Sequence, residues 1–438
     1  MEFGEAELLQ IADRVLCDRT GEHLTDIEAI VLQGSWQHKK YEDIASEANF
    51  NPDYIRGTIG QELWRKLSDA LGEKVEKRNF RKALERHWQE WQNSSSTVLT
   101  PVQETIENVT NPRELERSQI EQPFYQALSR GGCLVRIKAP WQMGKTALMA
   151  KGLNYRRSRG DRVVRLSFRL AEALDFASLE SFLLWFCTSV TEILAKENKI
   201  ETHWQSKLGN NKVKCMTYFE KYLLSEETPL VIALDDVDRI FPYAKIAGEF
   251  LGILRTLHEQ AKTRKIWQKL GLLIVHTELY EQLEINQSPF NVGTQITIPE
   301  FTPQEVFNLA QLHGLDWQED SVKILMELVG GHPYLVQQSF AYLAHGERDL
   351  KTLQENAIAE SGIYSSHLRR YRRYLQQLPQ EIFAVFEKIY RADTPIQLQS
   401  YQEKEQAQKL YNLGLVQFSD RAAFPRYPLY RDYFHQLL

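Results

Sequence analysis

Apolar positions along this chain change their spacing more than once, and each change predicts a different kind of structure. Up to residue 92 they recur every three or four positions, as on the buried face of a helix. Glu5 to Leu16 has this spacing. Thr25-Asp-Ile-Glu-Ala-Ile-Val-Leu32 opens with Thr25 as N-cap and Glu28 three residues on, a capping box. Tyr41 to Ala48 reads as a short helix broken at Asn51-Pro52. Asp53-Tyr54-Ile55-Arg56 then starts a longer one through Leu63, Leu67 and Leu71. Short helix, tight turn, longer helix predicts a helix-turn-helix-like unit. The polar run Gln92 to Thr97, with Thr100-Pro101, predicts a linker.

Between 118 and 300, apolar runs at 132–137, 162–168, 230–235, 271–276 and 294–298 alternate with helical stretches, notably 145–157, 176–195 and 245–262. That alternation predicts a parallel sheet covered by helices. From 303 to about 375 the pattern is helical again. Residues 378–438 read as two helices, then Gly414 to Phe418, a turn at Ser419-Asp420-Arg421, and Phe424 to Tyr427. Two helices and a hairpin predict a winged helix. The expected organisation is a multidomain α/β chain: an all-α helix-turn-helix-like domain at 1–92, a linker at 93–117, a sheet core at 118–300, a helical lid at 301–375 and a winged helix at 376–438.

The first chemical motif falls between the first strand and its helix. Cys133 to Ile137 leads into Ala139-Pro-Trp-Gln142-Met143-Gly144-Lys145-Thr146, which opens onto Ala147-Leu-Met-Ala150. Such a loop aims successive backbone N–H groups and a helix N-terminus at one point and so binds phosphate. Lys145 would reach the β- and γ-phosphates, and the Thr146 hydroxyl would bind Mg²⁺. Ala139 replaces the first glycine of the usual P-loop pattern, tolerable if its φ stays negative.

The second motif is Leu230 to Leu234 followed by Asp235-Asp236-Val-Asp238. Five apolar residues in a row suit a parallel strand covered on both faces. Asp235 would hold Mg²⁺, directly or through water, and Asp236 would polarise an attacking water. The shorter Asp, where many relatives carry Glu, predicts slow hydrolysis. About ninety residues separate the motifs, room for one intervening strand and its helices. Together they predict a P-loop ATPase core of the additional-strand class, binding ATP or ADP with Mg²⁺.

Bulk properties narrow the partners. The chain has 438 residues, 43% hydrophobic, with a formal charge of −5 and a pI of about 6.2. No global basic field for nucleic acid follows from that. The cysteines Cys17, Cys133, Cys187 and Cys215 are scattered, as in reduced cytosolic proteins. No apolar run reaches membrane-spanning length, and the acidic start Met-Glu-Phe-Gly-Glu-Ala-Glu is unlike a signal peptide. A cytoplasmic protein with no membrane partner is the expectation.

Several longer strings resemble a known family. Arg136 to Thr146, Ala233 to Arg239, Ser288 to Gly293, Gly330-Gly-His-Pro-Tyr-Leu335, Gly362 to Leu368 and Leu429 to Phe434 are similar to strings in bacterial AAA-like domain proteins common in cyanobacteria. These are relatives of the STAND signalling ATPases. Residues 1–92, through Tyr41 to Ala45 and Leu63 to Gly72, resemble the N-terminal domain of von Willebrand/MoxR-associated proteins. The resemblance implies that Pro333, after Gly331 and His332, starts a lid helix and packs on adenine. It implies a sensor position at the end of the fourth strand, where Thr277 is preferred over His276. Arg255 is a candidate arginine finger acting on a neighbour's nucleotide, against a plain helix-surface role. Arg369, Arg370, Arg372 and Arg373 read as phosphate contacts, a subunit interface or a solvated helix face.

Lys74, Lys77, Arg78, Arg81 and Lys82 recur at a spacing that would set five positive charges on one helical face. Such a stripe could track a phosphate backbone. An acid at the start of the recognition helix, Asp53, opposes that, so protein docking is preferred to DNA. The resulting expectation is an ATP-dependent signalling switch and slow ATPase, able to self-assemble on ATP, that passes its state to a protein through the N-terminal domain. Its rivals are an ATP-regulated transcription regulator and a non-hydrolysing, nucleotide-bound scaffold subunit.

Overall fold

The computed structural model describes residues 8–9, 11–13, 15–16, 24, 26–47, 52, 55–71, 73–94, 115–206, 209–277, 289–344, 349–419 and 422–438. Readings made on Glu5, Cys17, Thr25, Ala48, Asn51, Asp53, Tyr54, Gly72, residues 95–114, Glu278, Ser288 and Asp420-Arg421 lie outside the described residues. The chain divides into two compact units, 1–104 and 105–438.

In the first unit, α1 (Asp26–Trp36) and α2 (Tyr41–Glu47) precede a wide helical turn, Ile55–Gly60, that runs into α3 (Gln61–Leu71); α4 spans Phe80–Ser94. Leu63, Trp64, Leu67, Ala70 and Leu71 make the buried stripe of α3 at three- and four-residue spacing. They share a core with Val31, Leu32, Ile44, Ile55, Phe80 and Leu84. Trp64 Nε1 donates to Tyr41 Oη at 2.7 Å, tying α3 to α2.

The expected basic stripe is corrected here, because Lys74, Lys77 and Arg78 precede α4 instead of lying on it. Val75 is buried, and its N–H and C=O close on Ser68 Oγ at 2.8 and 3.2 Å. Asn79 then fastens the turn, accepting from Glu76 N at 2.6 Å and donating to Lys74 O at 2.8 Å. Lys77 Nζ donates to Lys39 O at 2.6 Å and lies 3.9 Å from the Tyr41 ring centre. Arg81 covers Trp36 at 4.2 Å. Lys74 and Arg78 both pair with Glu76, at 2.7 and 2.8 Å. Lys82 is exposed.

The second unit begins with α5 (Ser118–Leu128), then β1 (Leu134–Lys138), α6 (Lys145–Ser158), β2 (Arg162–Ser167), α7 (Leu179–Ile193), β3 (Leu230–Asp235), α8 (Ala244–Gln260), β4 (Leu270–His276) and β5 (Thr294–Thr297) as its principal elements. The five strands are parallel in the order β2-β3-β4-β1-β5. β4 therefore lies between the two motif-bearing strands. Every position of β3 and β4 is buried, as two helical covers require. Leu166, Ile232, Leu234, Leu272 and Ile274 face one side, in one core with the apolar residues of α7 and α8. Val135, Ile137, Val231, Ala233, Leu273 and Val275 face the other, with those of α5 and α6.

The lid carries α9 (Pro303–Leu312), α10 (Glu319–Val329), α11 (Pro333–Leu343) and α12 (Ser365–Leu375). The rest is α13 (Gln380–Tyr390), β6 (Ile396–Gln397), α14 (Tyr401–Leu413), β7 (Val416–Ser419), β8 (Ala422–Pro425) and α15 (Pro428–His435). β7 and β8 form the expected hairpin, joined by the short β6 in the order β6-β8-β7. Packing runs straight through the boundary expected after residue 375. Leu325, Val336, Tyr364 and Tyr371 of the lid share one apolar core with Phe386, Leu410, Tyr430 and Phe434 of the C-terminal module.

Candidate phosphate-binding cleft

The loop between β1 and α6 is short because β1 ends under the sheet's apolar cover and α6 starts at Lys145. Two residues in it take left-handed φ: Gly144 at 92° and Gln142 at 58°. Ala139 is not among the positive-φ residues, so the methyl that replaces the first glycine meets no backbone strain. Lys145 Nζ folds over the loop and donates to Ala139 O at 2.9 Å and Pro140 O at 2.7 Å. Burial pulls its pKa down to about 8, against the attraction of Asp238, Asp235 and Asp236, with Arg370 adding to the depression.

Asp235 ends β3 beside the first turn of α6. Its Oδ2 accepts from Thr146 Oγ1 at 3.3 Å and lies 3.2 Å from Arg165 Nη2. A hydroxyl and a carboxylate at this separation suit a hard cation taking its other ligands from phosphate and water, so the pair fits Mg²⁺. Among the described residues no cluster of three or more His, Cys, Asp or Glu offers an all-protein cage instead. Asp236 adopts a left-handed φ of 54°, uncommon outside glycine and frequent where backbone strain serves a site. Its Oδ2 accepts from Ser167 Oγ at 2.8 Å and lies 3.1 Å from Arg169 Nε in an ion pair. Both oxygens of Asp238 accept from Thr277 N, at 3.0 and 2.9 Å, which fixes the end of β4 against the acidic turn.

These groups open into one cleft of about 710 Å³. Gln142, Met143, Gly144, Lys145, Thr146 and Ala147 line it, together with Asp235, Asp236, Thr277 and Pro333. Ala139 lies beneath, contributing only its carbonyl to Lys145. Away from the phosphate loop an apolar patch of Leu115, Ile120, Ile298, Phe301, Leu309 and Pro333 is bordered by Arg117, Glu121 and Lys151. His276 and Arg255 are not brought to this cleft. His276 is fully buried with its ring 4.7 Å from Phe290. Arg255 sits on α8 beside Glu259.

Around the cleft lie residues that sequence reasoning passed over. Arg165 and Ser167 come from β2 and reach Asp235 and Asp236, and Arg169, just past the strand's end, lines the cleft. Their polar recurrence at every second position of a half-buried strand was the available signal. Of the four α12 arginines named from the sequence, Arg370 is the one that lines the cleft; it lies 4.9 Å from the Trp141 ring centre. Glu121, from α5, lines the far end and binds Lys151 at 2.6 Å.

The lid and C-terminal module hold the phosphate loop directly. Trp141 packs on Tyr371 at 5.0 Å and edge-on to Tyr374 at 4.8 Å. Gln142 Oε1 bonds His367 Nδ1, and His367 Nε2 bonds Tyr430 Oη at 2.5 Å. Burial holds His367 well below its ordinary pKa, so the ring is neutral at pH 7 and one nitrogen donates while the other accepts. Lys138 Nζ donates to Asn412 Oδ1 at 3.1 Å. Where the chain leaves the sheet core after β5, Arg117 binds Glu305 at 2.8 Å and the carbonyls of Pro299 and Glu300 at 3.0 and 2.9 Å. Gly331 lies so close that a Cβ there would stand 2.0 Å from Phe301 O.

Comparison with known proteins supplies a family. Residues 102–436 match the model described as AAA-like domain. Residues 3–87 match the one described as vWA-MoxR associated protein N-terminal HTH. No curated protein matches. Among solved structures, the chain is similar to the Walker-type ATPase of Pyrococcus abyssi, at 14% identity over 73% of this chain and 95% of that one, with a TM-score of 0.47. It is similar to the Aeropyrum pernix ORC2 protein solved with ADPNP and ADP, at 15% identity over 78% and 99%, TM-score 0.46. AMPPCP-bound DnaA from Aquifex aeolicus follows at 14% identity over 68% and 81%, TM-score 0.33.

Proposed function

This chain belongs to the AAA-like domain family, and from that premise we propose that it is an ATP-dependent switch whose nucleotide state is read by the C-terminal module. Lys145 and the main-chain amides of Gln142 to Ala147 grip the phosphates. Thr146 and Asp235 would hold Mg²⁺, which would neutralise phosphate charge, and Pro333 covers the base. Asp236 orients the attacking water, Thr277 lies within reach of the terminal phosphate, and Arg370 brings a lid charge to the same place.

One observation carries this reading: the phosphate loop is itself a contact surface of the lid, through Trp141 on Tyr371 and Gln142 on His367. A phosphate that draws Lys145 off the carbonyls of Ala139 and Pro140 moves the residues the lid grips. Two packed bodies joined by such a loop have discrete arrangements, as a switch requires. Hydrolysis is slow because Asp236 is already engaged by Ser167 and Arg169. The N-terminal unit passes the state to a protein partner. Lys77 and Arg81, spent on Tyr41 and Trp36, weigh against DNA. The resemblance to STAND ATPases supports self-assembly on ATP.

The test is the proteolysis pattern of the whole chain with ADP, with a non-hydrolysable ATP analogue and with neither. Distinct cleavage patterns that vanish in Lys145→Ala support the switch. One pattern in every condition, with nucleotide bound throughout, favours a scaffold, a reading that the ion-paired Asp235 and Asp236 keep open.

A further inference from the structure

We propose that Arg165 competes with the divalent cation for Asp235, so that this chain binds nucleotide without needing Mg²⁺. The inference rests on the nucleotide reading above. In the parallel register, Val163, Arg165 and Ser167 of the edge strand β2 stand opposite Val231, Ala233 and Asp235 of β3. All six face the α6 side of the sheet. Arg165 can therefore reach one position along to the carboxylate, and its Nη2 lies 3.2 Å from Asp235 Oδ2.

That oxygen is the one Thr146 Oγ1 also approaches, at 3.3 Å. The other, Oδ1, accepts from Asp236 N at 3.1 Å. Both oxygens of Asp235 are thus engaged: a guanidinium supplies the counter-charge, and Thr146 donates to the same oxygen. A divalent ion entering beside Arg165 meets like charge at short range. The pair is not a solvated surface contact, since the Asp235 side chain is only 6% exposed. The neighbouring acids are also engaged, Asp236 by Ser167 and Arg169, Asp238 by Thr277 N. The site is balanced internally by arginine where a metal-dependent site leaves its carboxylates to the ion. Removing Arg165 would leave the Asp235 carboxylate free to hold Mg²⁺.

Calorimetric titration of the full chain with ADP, in Mg²⁺ and in EDTA, tests this. The wild-type affinities should agree within about threefold. In Arg165→Ala, Mg²⁺ should strengthen ADP binding by about tenfold, or 1.4 kcal/mol. Arg165→Lys, which keeps a charge and guards against a folding defect, should fall between. Mn²⁺ alone, followed by electron paramagnetic resonance, should bind Arg165→Ala more tightly than wild type. A wild-type affinity that already drops tenfold in EDTA, with the same ratio in Arg165→Ala, overturns the proposal. No ADP binding in either buffer overturns the nucleotide reading itself.

Discussion

Gln142 of the phosphate loop and His367 of α12 are hydrogen-bonded across the join between the sheet core and the lid. Gln142 holds a left-handed φ of 58° at this contact, a conformation that costs a non-glycine residue about 1–3 kcal/mol. The loop's shape is therefore maintained partly by the lid. Gln142→Ala cuts the bridge at its loop end while His367 keeps Tyr430. We expect the lid to stay folded and the dissociation rate of a fluorescent ADP, measured by stopped flow, to rise severalfold. An unchanged rate would separate the lid from the loop's hold on nucleotide.

Lys145 sets a pH dependence. Its folded pKa lies near 8, against an ordinary 10.5, because burial disfavours the charge. The unfolded chain therefore holds the extra proton between those values, and this residue's contribution to stability rises with pH across that window. Nucleotide binding works in the opposite sense, since phosphate favours the protonated amine. ADP affinity should be level below pH 8 and fall up to about tenfold per unit above it, with proton uptake detectable in buffers of different ionisation enthalpy.

Asp236 and Arg169 form a pair 3.1 Å apart at the cleft. Asp236→Asn should leave nucleotide affinity intact and lower phosphate release by about 10²-fold or more, the usual worth of a positioned base. Arg169→Ala, which releases one of the two groups holding that carboxylate, should raise the rate. Equal rates in all three proteins would remove Asp236 from the chemistry.

Gly331 is irreplaceable for a steric reason. Phe301 N donates to Gly331 O at 2.7 Å, and a methyl at Gly331 would stand 2.0 Å from Phe301 O. Gly331→Ala should destabilise the larger unit by about 3 kcal/mol, measured by urea unfolding.

Lys77 is a packing residue of the first unit. Lys77→Ala removes a cation lying over Tyr41 and a bond to Lys39 O. A loss of about 1 kcal/mol in the stability of residues 1–104 is expected. A large loss of salt-dependent DNA affinity, with stability unchanged, would restore the nucleic-acid reading.

Local patterning settled the secondary structure of the sheet core. Alternating apolar runs and amphipathic stretches are short-range signals, and a strand buried on both faces, such as β3, announces itself by five apolar residues in a row. Gly144-Lys145-Thr146 and Asp235-Asp236 stood out in the sequence because phosphate and metal chemistry confine residue types at the ends of strands, and the structure brings both to one cleft. The five-charge stripe misled because periodicity does not say where a helix starts. Buried Val75 and the Asn79 turn keep Lys74, Lys77 and Arg78 out of it.

Tertiary structure alone decided which charges meet. Strand register, a pairing between segments about seventy residues apart, brings Arg165 to Asp235 and Ser167 to Asp236. Only folding picks Arg370 out of four clustered arginines by turning one face of α12 to the cleft. The bond from Gln142 to His367 joins positions whose separation, 225 residues, leaves no trace in either neighbourhood. Periodicity and motif chemistry act over a few residues, whereas the geometry that balances this cleft arises where distant segments are pressed together by the burial of their apolar faces.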